Sequence, residues 1–276
     1  MHTTASDGRC SPGELVARVA AAGVTTFAVT DHDTVASLPA ARALAADRGL
    51  TLVPGIEITA VYEARDVHVL GYWCDETSAD LLAFLEAQRA RRVDRVERIA
   101  HALAKAGAPV DVRPVLDDAL ARPGAAVGRP ALARALVAAG HAASVQDAFD
   151  RLLGLGQPAY VARVGVSPGE VAALVHAAGG IASLAHPGVT GRDDMIEAWA
   201  ADGIDALEAF HSDHDAVAQA RYLSAAELLG LAVSGGSDFH GDDGSTARVS
   251  RRRVGGVTLP ADRFARLRDA RQRRPS

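Results

Sequence analysis

Short apolar, β-branched runs alternate with Ala/Leu-rich stretches of helical period near both ends of the chain, a pattern that predicts βαβ units. Strands are expected at residues 24–30, 50–58, 67–72, 181–185, 204–210, 231–234 and 252–259. Helices are expected over about 12–22, 35–48, 168–178, 193–201 and 216–229, then a final helix and a basic tail ending at Arg274. Ser11-Pro12-Gly13-Glu14 and Ser167-Pro168-Gly169-Glu170 both read as helix starts. Serine caps, proline suits the first turn, and glutamate stands where a capping box needs it. Runs that are apolar on both faces fit a mostly parallel sheet or barrel.

Between residue 75 and about residue 156 the strand signal disappears and helical period takes over. Leu81, Leu85, Val93, Val96, Ile99 and Leu103 form the apolar stripe of one long helix. Shorter helices are expected over 114–121, 130–139 and 145–153. Arg89, Arg91, Arg92, Arg95 and Arg98, interleaved with Glu86, Asp94 and Glu97, read as a solvated face of i,i+3 and i,i+4 pairs. The organisation expected is an α/β barrel domain from 1–74 and 157–276, interrupted by a helical subdomain at 75–156.

Composition narrows the class. With 276 residues, 49% apolar and 23% charged, the chain has material for one large core. No apolar run reaches the roughly 18 residues needed to cross a bilayer, and the first ten residues hold no secretory apolar segment. Cys10 and Cys74 are the only cysteines, too few for a disulfide framework or a thiolate zinc site. A cytoplasmic protein that meets no membrane is expected. The net charge of -5 supplies no basic field for long duplex nucleic acid.

Several expected strands run directly into a metal-ligand side chain. Residues 28–30 lead to Asp31-His32-Asp33, residues 53–56 to Glu57, 183–185 to His186, 206–210 to His211, and 233–237 to Asp238-Phe239-His240. His68 lies within the third strand, and His2 and Asp7 precede the first helix. Strand ends of a parallel α/β fold open onto one rim, so these distant positions are expected to share one mouth. Mixed nitrogen and oxygen ligands suit manganese, zinc or iron, and a carboxylate such as Glu57 can bridge two ions. His101, His141 and His176 fall inside helices and read as packing or surface residues; His214 reads equally as part of a polar loop. No Gly-x-Ser-x-Gly elbow, Walker loop or dinucleotide fingerprint is present.

The segments His2-Thr3-Thr4-Ala5-Ser6-Asp7-Gly8, Thr30-Asp31-His32-Asp33-Thr34, Pro54-Gly55-Ile56-Glu57, Val67-His68-Val69-Leu70-Gly71-Tyr72, Ala185-His186-Pro187 and Gly236-Ser237-Asp238-Phe239-His240 together resemble the PHP (polymerase and histidinol phosphatase) family. The likeness is greatest to its branch of 3′,5′-nucleoside bisphosphate phosphatases, some of them 5′-3′ exoribonucleases. It implies a distorted (β/α)7 TIM-like barrel holding two to three divalent ions, manganese first among them, with zinc, iron or magnesium as alternatives. The implied ligands are His2, Asp7, His32, Glu57, His68, His186, Asp238 and His240, with Glu57 bridging. Gly128-Arg129-Pro130 and Tyr160-Val161-Ala162-Arg163 resemble phosphate-facing segments, which casts Arg129 and Arg163 as substrate phosphate binders.

The family pattern has a His-x-His carried by a first strand, whereas this chain starts Met1-His2; the expectation is that Met1 is internal and a strand precedes it. Ala131 also stands where family members often have histidine. The implied activity is metal-dependent hydrolysis of a phosphate ester of a nucleotide or of short 5′-phosphorylated RNA, with Glu57 essential and His211 protonating the leaving alkoxide. The alternatives are a phosphatase for a small monoester such as histidinol phosphate, and a non-catalytic metal-binding module. The oligomeric state is left open.

Overall fold

The computed structural model describes residues 1–121, 128–241 and 251–273. In chain order the elements are α1 (Pro12–Ala21), β1 (Thr26–Val29), α2 (Leu38–Ala46), β2 (Thr51–Tyr62), β3 (Arg65–Tyr72), α3 (Ala79–Lys105), α4 (Arg113–Ala121), α5 (Arg129–Ala138), α6 (Val145–Ala148), α7 (Pro168–Ala177), β4 (Ile181–Leu184), α8 (Pro187–Thr190), α9 (Ile196–Ala201), β5 (Ala206–His211), α10 (Ala216–Leu228), β6 (Ala232–Gly236) and α11 (Ala261–Gln272). A π-helical turn, Phe149–Leu153, continues α6. The basic tail expected to end at Arg274 lies outside the described residues.

Both capping boxes form. The Ser11 hydroxyl accepts from the Glu14 amide at 3.3 Å, and the Glu14 carboxylate accepts from the Ser11 amide at 2.7 Å. Ser167 and Glu170 repeat the arrangement at the start of α7. Each satisfies two amides that a helix end otherwise leaves open.

The strands form one sheet in the order β1-β2-β3-β4-β5-β6, curled into a half barrel. β1 with β2, β4 with β5 and β5 with β6 are parallel, whereas β3 is antiparallel to both its neighbours. The sheet is mostly parallel, as expected, and the reversal of β3 within it has a local cause. Only Glu63 and Ala64 join β2 to β3, and both take left-handed φ of 48° and 61°. A two-residue link of that kind joins antiparallel strands only.

The strand expected at 252–259 does not form: the segment turns instead, with Gly255 at φ 73° and the Gly256 amide bonded back to the Arg253 carbonyl. Met1 and His2 lie between β1 and the end of β6, since the Thr30 amide bonds the Met1 carbonyl and the His2 amide bonds the Phe239 carbonyl, each at 2.9 Å. Beside them a cavity of about 500 Å³ opens between the two outer strands, lined by Phe27, Ser234, Gly235, Val254 and Phe264 among others.

Three apolar clusters lie among the described residues, the smallest built on Val53, Leu70, Ile181, Ala206 and Leu267. The largest lies under the sheet and includes Leu15, Val29, Ile56, Val69, Leu184 and Leu207. The remaining one joins Val96, Ile99, Leu103, Leu132, Leu136, Leu152 and Leu153. α3 serves the two larger ones: its Leu81 and Leu85 pack on the sheet cluster and its second half builds the other. Among the described residues no helix is long and apolar enough to cross a membrane.

Candidate metal centre

Strand register brings the expected ligands to one level. His32 forms an isolated parallel bridge with Glu57, His68 pairs with Thr59, and the Ala185 amide bonds the His68 carbonyl at 3.0 Å, which sets His186 beside them. Because β3 runs backwards, it presents His68 from its amino-terminal half. His2 and Asp7 arrive on a loop held by Asp31, whose buried carboxylate accepts from the Thr3 amide at 2.6 Å and from the hydroxyls of Thr3, Ser6 and Ser37. A Cβ on Gly8 would lie 2.5 Å from the His2 carbonyl, so this loop closes only on glycine.

The contacts around Glu57 are short. Its two carboxylate oxygens lie 2.6 Å from His68 Nδ1, 3.2 Å from His186 Nε2, 3.2 Å from His2 Nε2 and 3.8 Å from His32 Nδ1. Asp238 Oδ1 lies 3.1 Å from His2 Nε2, and Asp7 Oδ1 lies 3.2 Å from His240 Nε2. Three sets of donor atoms each fall within 4.8 Å of one another: His2, Asp7, His32 and His240; His32, Glu57 and His68; His2, Glu57 and Asp238. Glu57 belongs to two of these sets, as a bridging group must. His186 and His211 stand beside the three sets rather than within them.

Burial and charge match a cation site. His2 Nδ1 and Nε2, His68 Nδ1, His186 Nδ1 and His211 Nε2 are buried without any hydrogen-bond partner, although carboxylate oxygens stand close to several of them. Nitrogen and oxygen lone pairs held this close, out of water, are costly unless a cation lies between them. In the metal-free protein a proton takes that place. Burial opposes charge on His2, but contact with Asp238 and Glu57 outweighs it and raises its pKa to about 9. Burial likewise opposes charge on His186, and Glu57 raises it to about 9. His32 goes the other way, because burial dominates and lowers it to about 4. Burial works against the Glu57 charge, yet His32 and His68 hold its pKa well below the usual carboxylate range. The residues present therefore fit divalent ions, with three or four donor groups in each set.

The arginines hold a surprise. α3 does not present Arg92 and Arg95 to solvent as a charged face. Arg92 pairs with Asp33 and donates to the Thr59 hydroxyl at 3.0 Å, while buried Arg95 donates to the Val161 carbonyl at 2.9 Å. Both lie on the inward side that also carries Leu85, Gln88 and Ile99, so helical phase was the overlooked signal. Arg163 pairs with Asp66 at 3.1 Å, and the Arg129 guanidinium lies 5.7 Å from the ring centres of both Phe149 and Tyr160. Burial, with Arg163 and Arg129 adding their charge, lowers Arg95 to about 10; burial, with Arg92 nearby, also lowers Arg163.

Of the remaining histidines, His176 bonds Asp205 at 2.8 Å and His141 lies 3.0 Å from the Pro109 carbonyl. His214 is buried, with its Nδ1 at 3.0 Å from the Ala209 carbonyl.

A protein-family model, the PHP domain, matches residues 1–160, more than half of the 276. The chain belongs to the PHP family. It is 37% identical to a 5′-3′ exoribonuclease of Haemophilus influenzae, covering 87% of this chain and 88% of that protein. It is 31% identical to a 3′,5′-nucleoside bisphosphate phosphatase of Chromobacterium violaceum, covering 87% and 85%. A Bifidobacterium adolescentis structure described as a metal-dependent phosphoesterase superposes with a TM-score of 0.80 at 32% identity, over 98% of this chain and 94% of that one. As a PHP protein the chain is a metal-dependent phosphoesterase, and its sheet is the half-curled form of a distorted TIM-like barrel.

Proposed function

We propose that this PHP protein hydrolyses a phosphate ester of a 3′,5′-nucleoside bisphosphate, or of a short 5′-phosphorylated RNA, at a cage that takes two to three manganese ions. The observation that carries the reading is the pairing of two sites of opposite appetite, one for cations and one for anions. His2, Asp7, His32, Glu57, His68, His186, Asp238 and His240 hold the ions, with Glu57 shared between two. When bound, divalent ions at such a cage supply Lewis acidity towards phosphoryl oxygens and acidify water.

The chain's own groups do the rest. His211 accepts the Asp213 amide at Nδ1, 3.2 Å away, which leaves Nε2 as the proton-bearing atom, 3.7 Å from Asp238 Oδ2. That atom is buried, has no hydrogen-bond partner and serves as donor to the departing alkoxide. Among the described residues only Asp33 and Asp66 form ion pairs with the group Arg92, Arg95, Arg129 and Arg163, so it carries surplus positive charge for a phosphate that is not cleaved. Residues 75–156, which bring most of these arginines, form the subdomain that covers the nucleotide. A substrate with a single small phosphate, such as histidinol phosphate, leaves that surplus uncompensated.

Phosphate release from 3′-phosphoadenosine 5′-phosphate and from histidinol phosphate, and mononucleotide release from a 5′-phosphorylated trinucleotide, with manganese and with chelator, test the reading. Turnover of either nucleotide substrate, dependent on manganese and well above that of histidinol phosphate, is expected. Preference for histidinol phosphate, or no manganese-dependent release from any of the three, overturns it.

A further inference from the structure

His186 sits in an unusual backbone. Its φ of 26° and ψ of 60° belong to the left-handed region, and it precedes Pro187, which normally drives the preceding residue to extended conformations. Strain of this kind persists only where surrounding groups over-determine the geometry. Two side chains do so here, one at each end of the His186-Pro187-Gly188 turn. The Glu208 carboxylate accepts the His186 amide at 2.8 Å, and His214 Nε2 accepts the Gly188 amide at 3.2 Å.

Both holders are themselves fixed. Glu208 is buried in β5. His214 donates from Nδ1 to the Ala209 carbonyl, its ring packs 4.9 Å from that of Tyr222, and its carbonyl accepts from Arg251 at 2.6 Å. The Nδ1 contact selects the tautomer that leaves the Nε2 lone pair free for Gly188. The approach is close: a Cβ on Gly188 would lie 2.9 Å from His214 Cδ2 and Nε2. The outcome is that His186 Nε2 stands 3.2 Å from Glu57 Oε1.

We propose that His214 and Glu208 are positioning residues that lock the strained His186-Pro187-Gly188 turn and so aim the His186 imidazole at the metal cage. Neither belongs to the donor sets; Glu208 acts through the amide of His186 itself and His214 through the amide of Gly188, two residues on, much as groups behind a ligand commonly do. The proposal rests on the reading of His186 as a ligand.

Four variants test it: His214→Phe, which keeps a ring but loses the acceptor; His214→Gln, whose carbonyl reaches the place of Nε2; Glu208→Leu, which removes the acceptor; and Glu208→Gln, which keeps one. Manganese affinity by calorimetry, kcat and KM, and the melting temperature of the metal-free protein are read for each. His214→Phe and Glu208→Leu are expected to weaken the His186-dependent manganese site about tenfold and to lower kcat at unchanged KM, while both Gln variants retain most of each. Wild-type affinity and kcat in the two acceptor-free variants overturn the proposal. So does equal loss in the Gln and acceptor-free variants that tracks the fall in melting temperature, since that is a folding role alone. His186→Ala separates the two claims: if it leaves manganese binding intact, His186 is no ligand, whereas if it impairs binding and His214→Phe does not, only the clamp fails.

Discussion

The candidate metal cage and the arginine group are joined through the adjacent residues His32 and Asp33 and are built in opposite ways. In the cage, Asp7, Glu57 and Asp238 crowd imidazoles at 2.6–3.9 Å, and buried nitrogens are left without hydrogen bonds. In the arginine group, guanidiniums lie near one another, and burial with that mutual repulsion lowers Arg95 to about 10. One is an arrangement of electron-pair donors short of cations, the other an arrangement of cations short of anions. The two meet at residues 31–33. Asp31 anchors the loop of His2, His32 enters the cage, and Asp33 holds Arg92. Together they explain how a chain of net charge -5 can receive a polyanion: the local field, not the total, decides.

The largest effect expected from breaking the contrast is at Glu57. Glu57→Gln removes the shared negative charge and is expected to cut kcat by on the order of 10³-fold with the fold intact, as circular dichroism and phosphate release would report. Retained activity removes Glu57 from the bridging role.

Arginine variants should act differently. Arg163→Gln or Arg95→Gln is expected to raise KM for a bisphosphate about 10–100-fold with little change in kcat, the loss of one charge-assisted hydrogen bond. The same variants should leave manganese affinity untouched. A matching loss of manganese binding would show that the two regions are one.

Protonation sharpens the cage half. His2 and His186, both raised to about 9 without metal, must shed protons when ions bind, so manganese affinity should strengthen from pH 6 to pH 9. Calorimetry in buffers of different ionisation enthalpy counts those protons, and none released would contradict the assignment. The linkage has a second face. The stability that these raised imidazoles give the metal-free protein is fully present below about pH 6.5 and is lost as pH rises through about 9. The lowered Glu57 and Asp238 contribute above the usual carboxylate range and lose that contribution as pH falls. Melting temperature against pH, with and without manganese, reads both limbs; the alkaline loss should vanish in the loaded protein.

The smallest effect is expected at a helix cap outside the donor sets. Ser11→Ala removes the α1 cap and should cost about 1 kcal/mol of stability without altering manganese affinity or KM.

Some of this was legible in the chain itself. Helix starts at Ser11 and Ser167 follow from local chemistry, because a cap involves residues three positions apart. The placement of His32, His186 and Asp238 after apolar runs was likewise visible, since strand ends are marked by the change from apolar to polar. Other features depend on groups distant in sequence. Glu63 and Ala64 carry no strong turn signature, so the reversal of β3 shows only in its pairing with β2 and β4. Arg92 and Arg95 looked like two more members of a solvated run until Asp33 and Val161 came within reach. The segment at 252–259 has strand-like composition, but Arg251 and Arg252 bind the 211–214 loop and Gly255 turns the chain.

The sequence by itself therefore determined the local elements and the inventory of imidazoles, carboxylates and guanidiniums, because period, capping and residue chemistry act over a few neighbours. Only the tertiary structure decided which of them face one another, because register, strand direction and burial arise from contacts between residues distant in the chain, 26 positions for His214 and Gly188 and 129 for Glu57 and His186. Glu57 against His186, and His214 against Gly188, exist only at that level.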